Sequence, residues 1–211
     1  MEVKKFTFNP FQENTYILFD ESKDCVIIDA GCYYPQEFEE LKSFIKDNQL
    51  KVINLISTHS HLDHVFGNKV VLDFYKVPFG IHPEDETTLD SLERTAQTYG
   101  IPNVFKSPEP TFYFNHKEIL KFGKTELEVR FVPGHAPGHV VFVNHKEGIV
   151  INGDCLFAGS IGRTDLPGGN HDLLIKKIKE ELFTLPSDFI VYSGHGPETT
   201  IGAEKSSNPF F

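Results

Sequence analysis

Residues 57–67 read STHSHLDHVFG, and six positions of that stretch hold His59, His61, Asp63 and His64. Packing does not ask for three imidazoles and a carboxylate in so short a span. A divalent cation does, because imidazole suits zinc or iron and a carboxylate completes or bridges the shell. Three more groups of the same types stand where apolar runs stop: His135 in VRFVPGHAPGH, Asp154 in IVINGDCLF and His195 in FIVYSGHGP. Five His and two Asp from four segments make an inventory for two adjacent metals. The chemistry this predicts is activation of water near neutral pH, together with polarisation of a carbonyl or phosphoryl oxygen. Structural zinc sites are usually closed by four ligands, so a set of seven argues against a module that holds metal only for structure.

The surrounding pattern says what must position these groups. KVINLIST reads as a nearly all-apolar strand buried on both faces, with the cluster at its C-terminal end. If that strand persists through His61, its period of two points His59 and His61 the same way, with Asp63 and His64 at the turn into a helix. Upstream, KKFTF, NTYILFD and DCVIIDAG read as three short strands of a hairpin-built sheet. YPQEFEELKSFIKDNQL reads as a helix that starts near Pro35 and sets Phe38, Leu41 and Ile45 on one face. Downstream, PEDETTLDSLERTAQTYG carries Leu89, Leu92, Ala96 and Tyr99 at helical spacing, as a surface helix with its apolar face on the core would. IPNVFKSPEP is a Pro-rich connection, and EILKFG, TELEVRFVPG, VVFVNHKEG and IVINGD read as four more strands. A helix, DLLIKKIKEELFTL, then leads to the strand DFIVYSGHG. The expectation is an α/β chain in two similar halves that forms one domain over residues 1–211. Its candidate ligands cluster at strand ends, where α/β proteins assemble their sites.

Neighbouring residues read differently. Cys155 follows Asp154 directly, so the strand period points it to the other side, as packing. APGH is a turn that presents His135, and His139 behind it reads as a supporting group rather than a ligand. His82, His116, His145 and His171 read as ordinary hydrogen-bonded or solvated residues.

Composition narrows the partners. The formal net charge is −10 and the only arginines are Arg94, Arg130 and Arg163, so a nucleic acid would meet a repelling field. No apolar run approaches the length of a membrane span. Three cysteines are too few for a disulfide framework, and MEVKKFTFNP lacks the apolar core of an export signal; both readings predict a cytoplasmic protein.

The motifs THSHLDH, PGHAPGH, NGDCLF and SGHGP, in that order and at these separations, resemble the metallo-β-lactamase superfamily over essentially the whole chain. Within it, GSIGRTDLPGG at 159–169 and the ending GHGPETTIGAEKSSNPFF are similar to the bacterial single-domain glyoxalase II-like hydrolases. The resemblance implies a four-layer αββα sandwich and two divalent metal ions, zinc first, with iron or manganese as alternatives. It places His59, His61 and His135 on the first metal, Asp63, His64 and His195 on the second, and Asp154 between them. It also implies a small-molecule thioester substrate, such as a 2-hydroxyacyl glutathione, with Asp63 orienting the attacking hydroxide. Full-length glyoxalase II enzymes bind glutathione partly through an extra C-terminal helical domain, and residues 196–211 are not expected to supply those contacts. Arg163 is then a fixed cation for a substrate carboxylate, since guanidinium pairs with carboxylate bidentately; a structural pair with Asp165 is the equal reading. The related persulfide dioxygenases also carry a GRTD segment but use one iron and oxygen, and the ligand residues alone do not separate the two activities.

Overall fold

In the computed structural model, which describes residues 1–211, the central strands Glu13–Phe19, Asp24–Ile28 and Ile149–Gly153 are buried along nearly their whole length because both of their faces are covered. One sheet contains β1 (Glu2–Phe8), β2 (Glu13–Phe19), β3 (Asp24–Ile28), β4 (Lys51–Ile56), β5 (Phe79–Ile81) and β6 (Phe112–Tyr113), in that spatial order. Its first three strands are antiparallel, as the hairpin pattern predicts, and β3 to β6 run parallel. Later in the chain come β7 (Ile119–Phe122), β8 (Thr125–Phe131), β9 (Val140–Asn144) and β10 (Ile149–Gly153). After them come a small hairpin, β11 (Leu156–Phe157) and β12 (Ser160–Ile161), and then β13 (Ile190–Ser193) and β14 (Thr199–Thr200). The second sheet runs β14, β13, β10, β9, β8, β7 in space, with β10 and β13 parallel.

The alternation along each strand sorts its side chains into layers. Ile17 and Ile27 face outward toward Phe38, Leu41 and Ile45 of α1 (Pro35–Asp47), and the same outer core takes in α2 (Leu62–Val65) and α3 (Asn68–Tyr75). Leu18, Val26 and Ile28 point the other way and meet Val129, Val140, Phe142 and Ile151 between the sheets. Past α4 (Glu86–Asp90) and α5 (Leu92–Thr98), the second sheet turns Val141, Val143 and Val150 toward Leu174 of α6 (His171–Lys177) and Ile201 of α7 (Ile201–Ser207). Three apolar interfaces thus separate four layers, and the architecture is an αββα sandwich, as expected.

Several local expectations need correction. β4 ends at Ile56 and does not persist to His61. Ser57 N still donates to Gly80 O at 3.1 Å, but Thr58 N donates to Asp29 Oδ1 at 2.7 Å, so the chain leaves the ladder before His59. The segment read as one helix over 83–100 is a 3₁₀ turn (Pro83–Asp85) followed by α4 and α5, with a break at Ser91, whose hydroxyl donates to Thr88 O at 2.8 Å. Because α5 stops at Thr98, Tyr99 leaves the apolar face and is 52% exposed. The helix read after Asp172 continues beyond α6 as a wider π-type turn, Ile178–Leu182.

Candidate metal centre

Both sheets end at one place. The loop after β4 delivers His59 and His61 and the α2 turn beyond it Asp63 and His64, while the segments that follow β8, β10 and β13 deliver His135, Asp154 and His195. The loop is held from both sides: Asp29, just past β3, accepts from Thr58 N, and Val140 N of β9 donates to Thr58 O at 2.8 Å. His59 and His61 therefore converge through a pinned loop rather than through strand alternation.

Three groups could each hold a metal ion: Asp29, His59 and His64 form one, and the other two fall entirely on residues singled out in the sequence. In the first of these two, His61 Nδ1 stands 2.8 Å from His135 Nε2, which in turn stands 3.2 Å from His59 Nε2. The second gathers Asp63, His64 and His195, with His195 Nε2 at 3.1 Å from Asp63 Oδ2. Asp154 lies between the two: Oδ2 is 3.6 Å from His135 Nε2 and 3.5 Å from His195 Nε2, and Oδ1 is 3.6 Å from His64 Nε2. All seven residues singled out in the sequence thus meet within one cluster.

The far nitrogens of four rings are engaged by acceptors. His135 Nδ1 donates to Arg163 O at 2.7 Å, His195 Nδ1 to Phe11 O at 3.1 Å and His64 Nδ1 to Asp29 Oδ2 at 3.1 Å. Thr58 gives its hydroxyl proton to Asp29 Oδ2 at 2.7 Å, so His59 Nδ1 donates to Thr58 Oγ1 at 3.1 Å. Those bonds fix the tautomers that leave each Nε2 lone pair facing the cluster. His64 Nε2 and Asp154 Oδ1 are buried with no hydrogen-bond partner. Orphaned polar atoms of this kind are costly in a protein interior, and a cation between them satisfies both.

Electrostatics divides the two triads. Burial pushes His59, His61 and His135 below the usual imidazole range, His61 to about 3; neighbouring rings add to this at His59 and His61, while Asp154 and the Arg163 carbonyl only partly offset it at His135. Burial also works against charge on His64 and His195, but Asp63 and Asp154 outweigh it and raise both. Burial opposes ionisation of Asp154 and Asp63 too, yet His64 and its neighbours hold both carboxyls below their ordinary range. The first triad offers lone pairs, and the second calls for positive charge. The arrangement can hold two divalent cations about a shared carboxylate.

Supporting groups lie behind these. His139 Nε2 accepts from Asp154 N at 3.0 Å and its Nδ1 faces Cys155 Sγ at 3.1 Å, so His139 supports the cluster and Cys155 is buried packing, as the sequence suggested. Asp29 was missed, although VIIDAG carries the same signature as INGD, an acid where an apolar strand stops. Glu13 was missed as well and had no local signal: fully buried, with its carboxyl driven up by burial, it stands 3.8 Å from His64 Nδ1. Arg163 makes the pair with Asp165, through Nε at 2.7 Å and a second nitrogen at 2.8 Å, while also lining the cavity above the cluster. That cavity has a volume of about 920 Å³ and reaches His61, Asp63, His135, Asp154 and His195. Its walls come from α4, α5, Phe11 and the segment 157–168, so the helix read as plain surface borders the site.

The model of the metallo-beta-lactamase superfamily matches residues 8–195. The chain is 38% identical to the hydroxyacylglutathione hydrolase GloC of Haemophilus influenzae, over all of this chain and 98% of that protein. It superposes on the crystal structure of BLEG-1 B3 metallo-beta-lactamase with a TM-score of 0.90 at 35% identity, covering 99% of each chain. It also superposes on the crystal structure of TTHA1623 in a di-iron-bound form, with a TM-score of 0.89 at 34% identity, covering 99% of this chain and 100% of that one.

Proposed function

Because the chain belongs to the metallo-beta-lactamase superfamily, we propose that it is a binuclear metal-dependent hydrolase of thioesters, of which a 2-hydroxyacyl glutathione is the model substrate. The observation that carries this reading is the pair of ligand triads sharing Asp154 at the floor of an open cavity. His59, His61 and His135 would hold one divalent ion and Asp63, His64 and His195 the other, with Asp154 placed beside both sets. Zinc is the proposed metal, and the di-iron form of TTHA1623 makes iron the competing loading. When bound, the ions supply a water acidified to near neutrality and a Lewis acid for the carbonyl oxygen.

The chain's own groups do the rest. Asp63, ionised and held by His195, orients the attacking water from the cavity floor. The water gives one proton to solvent, its oxygen bonds to the acyl carbon, the carbon–sulfur bond breaks with its electron pair leaving on sulfur, and the products are the carboxylic acid and a thiolate. A thiol of pKa roughly 8.5 departs as thiolate without a dedicated acid, and the motifs contain none. Phe11, Leu62, Phe157 and Ile161 give the cavity an apolar lining for the body of the substrate.

The test has two arms, the zinc protein under strict anaerobiosis and the iron protein in oxygenated buffer. Zinc-loaded protein is expected to cleave the 2-hydroxyacyl glutathione thioester with release of free thiol, and chelator-stripped protein to be inactive until zinc is restored. Inert zinc protein, with iron protein that consumes oxygen only when glutathione persulfide is added, would replace hydrolysis by persulfide oxidation.

A second expected outcome concerns Asp29. Asp29→Asn keeps the size but gives Thr58 and His64 a partner that is no longer an anionic acceptor, so His64 loses its fixed orientation. Affinity for the second metal should fall about 10- to 100-fold, as losses of such outer partners do. Competition titration against a chromogenic chelator measures it, and unchanged affinity would show that His64 is held by packing alone.

A further inference from the structure

The cavity has two arginines in its wall and no lysine, and the two differ in what already occupies them. Arg163 is already engaged by a two-pronged contact with Asp165. Arg130, the third arginine of the chain, lies outside the cavity and is bound to Glu181 O and Glu128. Arg94 is exposed, lines the cavity, and takes part in none of the ion pairs or side-chain hydrogen bonds that tie down the other two. It stands on α5 beside Ser91, Thr95 and Thr98, at the i, i+3, i+4, i+7 spacing that puts four residues on one helical face, and all four line the cavity. The Ser91 hydroxyl donates to Thr88 O at 2.8 Å and the Thr98 hydroxyl to Arg94 O at 3.0 Å. With the Ser91 proton committed, Thr95 donates to Ser91 Oγ at 3.3 Å, which leaves the oxygens of Thr95 and Thr98 as the freer acceptors for N–H groups. This face therefore presents one free cation amid hydrogen-bond acceptors.

On the reading of the site as a thioester hydrolase, the geometry points to Arg94 as the specificity-determining cation: it takes a carboxylate carried on the thiol portion of the substrate, away from the scissile bond. The chemistry of the face fits a short peptide thiol, with amide N–H groups for the hydroxyls and a carboxylate for the guanidinium. In a chain of net charge −10, a local uncompensated arginine is also what allows an anionic substrate to settle. Arg163 keeps its place in the wall through Asp165, and its backbone carbonyl orients His135.

The experiment compares S-lactoylglutathione with the same thioester carrying both glutathione carboxylates as methyl esters, using the zinc-loaded full-length protein and its R94Q, R94K and R163A variants. Wild type should prefer the free acid. R94Q should raise KM for the free acid about tenfold, the loss of one charge-assisted contact, with kcat within about twofold and the ester unaffected. R94K should keep part of the preference, since it keeps the charge but not the fork. Added salt should raise the wild-type KM for the acid and leave that of R94Q flat. An unchanged acid-to-ester ratio in R94Q overturns the assignment, and loss of that ratio in R163A alone transfers it to Arg163. Failure of wild type to cleave either thioester removes the hydrolase reading and this inference with it.

Discussion

Asp154→Ala should lose bound metal and hydrolysis together, and more completely than loss of any single ligand of the second triad. Asp154 is the one carboxylate with both oxygens committed to the cluster, Oδ2 to His135 and His195 and Oδ1 to His64. On the binuclear reading, removing it takes away the anion that favours positive charge at His64 and His195 and the one ligand that the two ions would share. Several kcal/mol of transition-state stabilisation rest on such a centre, so kcat/KM should fall by about 10³-fold or more. Metal content per chain and thioester turnover are the measurements, with far-ultraviolet circular dichroism to verify the fold. A variant that keeps two metals per chain contradicts the bridging assignment.

Gly194→Ala should be nearly as damaging, although it removes no ligand. A methyl group there would collide with Asp154 Oδ1 and stand 2.7 Å from His64 Cε1. The backbone cannot yield, because Gly194 N donates to Gly153 O at 2.7 Å and Asn14 N donates to Gly194 O at 2.7 Å. The methyl must therefore displace the carboxylate or the imidazole. Metal affinity and turnover should each drop about 100-fold, the scale of lost ligand positioning, alongside about 1–3 kcal/mol of overpacking. Gly196→Ala is the contrast: its φ of 73° costs about 1–2 kcal/mol of backbone strain, but a methyl there meets nothing within 4 Å. Equal metal loss in both variants would mean that backbone strain in the SGHG turn, and not crowding of Asp154, is responsible.

The seven clustered groups were legible because each announced itself locally, either by crowding in residues 59–64 or by standing where an apolar run stops. The layers were legible for the same reason: strands with both faces apolar need cover on both sides. What escaped was whatever depends on a non-local partner. Asp29 matters through the β3–β4 neighbourhood that puts it under Thr58, and Glu13 through the approach of β2 to His64. Residues 83–100 show helical periodicity, but the helix is interrupted at Ser91, where the hydroxyl donates to Thr88 O, and the pieces on both sides of that interruption line the cavity. Arg163 left two readings open; the pair with Asp165 is present, and its place in the cavity wall is also real. The strand expected to run through His61 ends early because a carboxylate, invisible to a period-of-two argument, captures Thr58 N.

Ownership of the cluster is divided: four of its groups follow β4 of one sheet, and three follow β8, β10 and β13 of the other. Neither half of the sandwich holds a complete second triad, because His195 must come across to Asp63 and His64. In kinetic terms the centre belongs to the late, long-range part of folding, after each sheet has formed and the two have docked. A cation bound across the seam would act as a rivet between the halves: insofar as it binds the docked state and not the separated one, a free concentration 1,000 times its Kd would add about 4 kcal/mol against their separation.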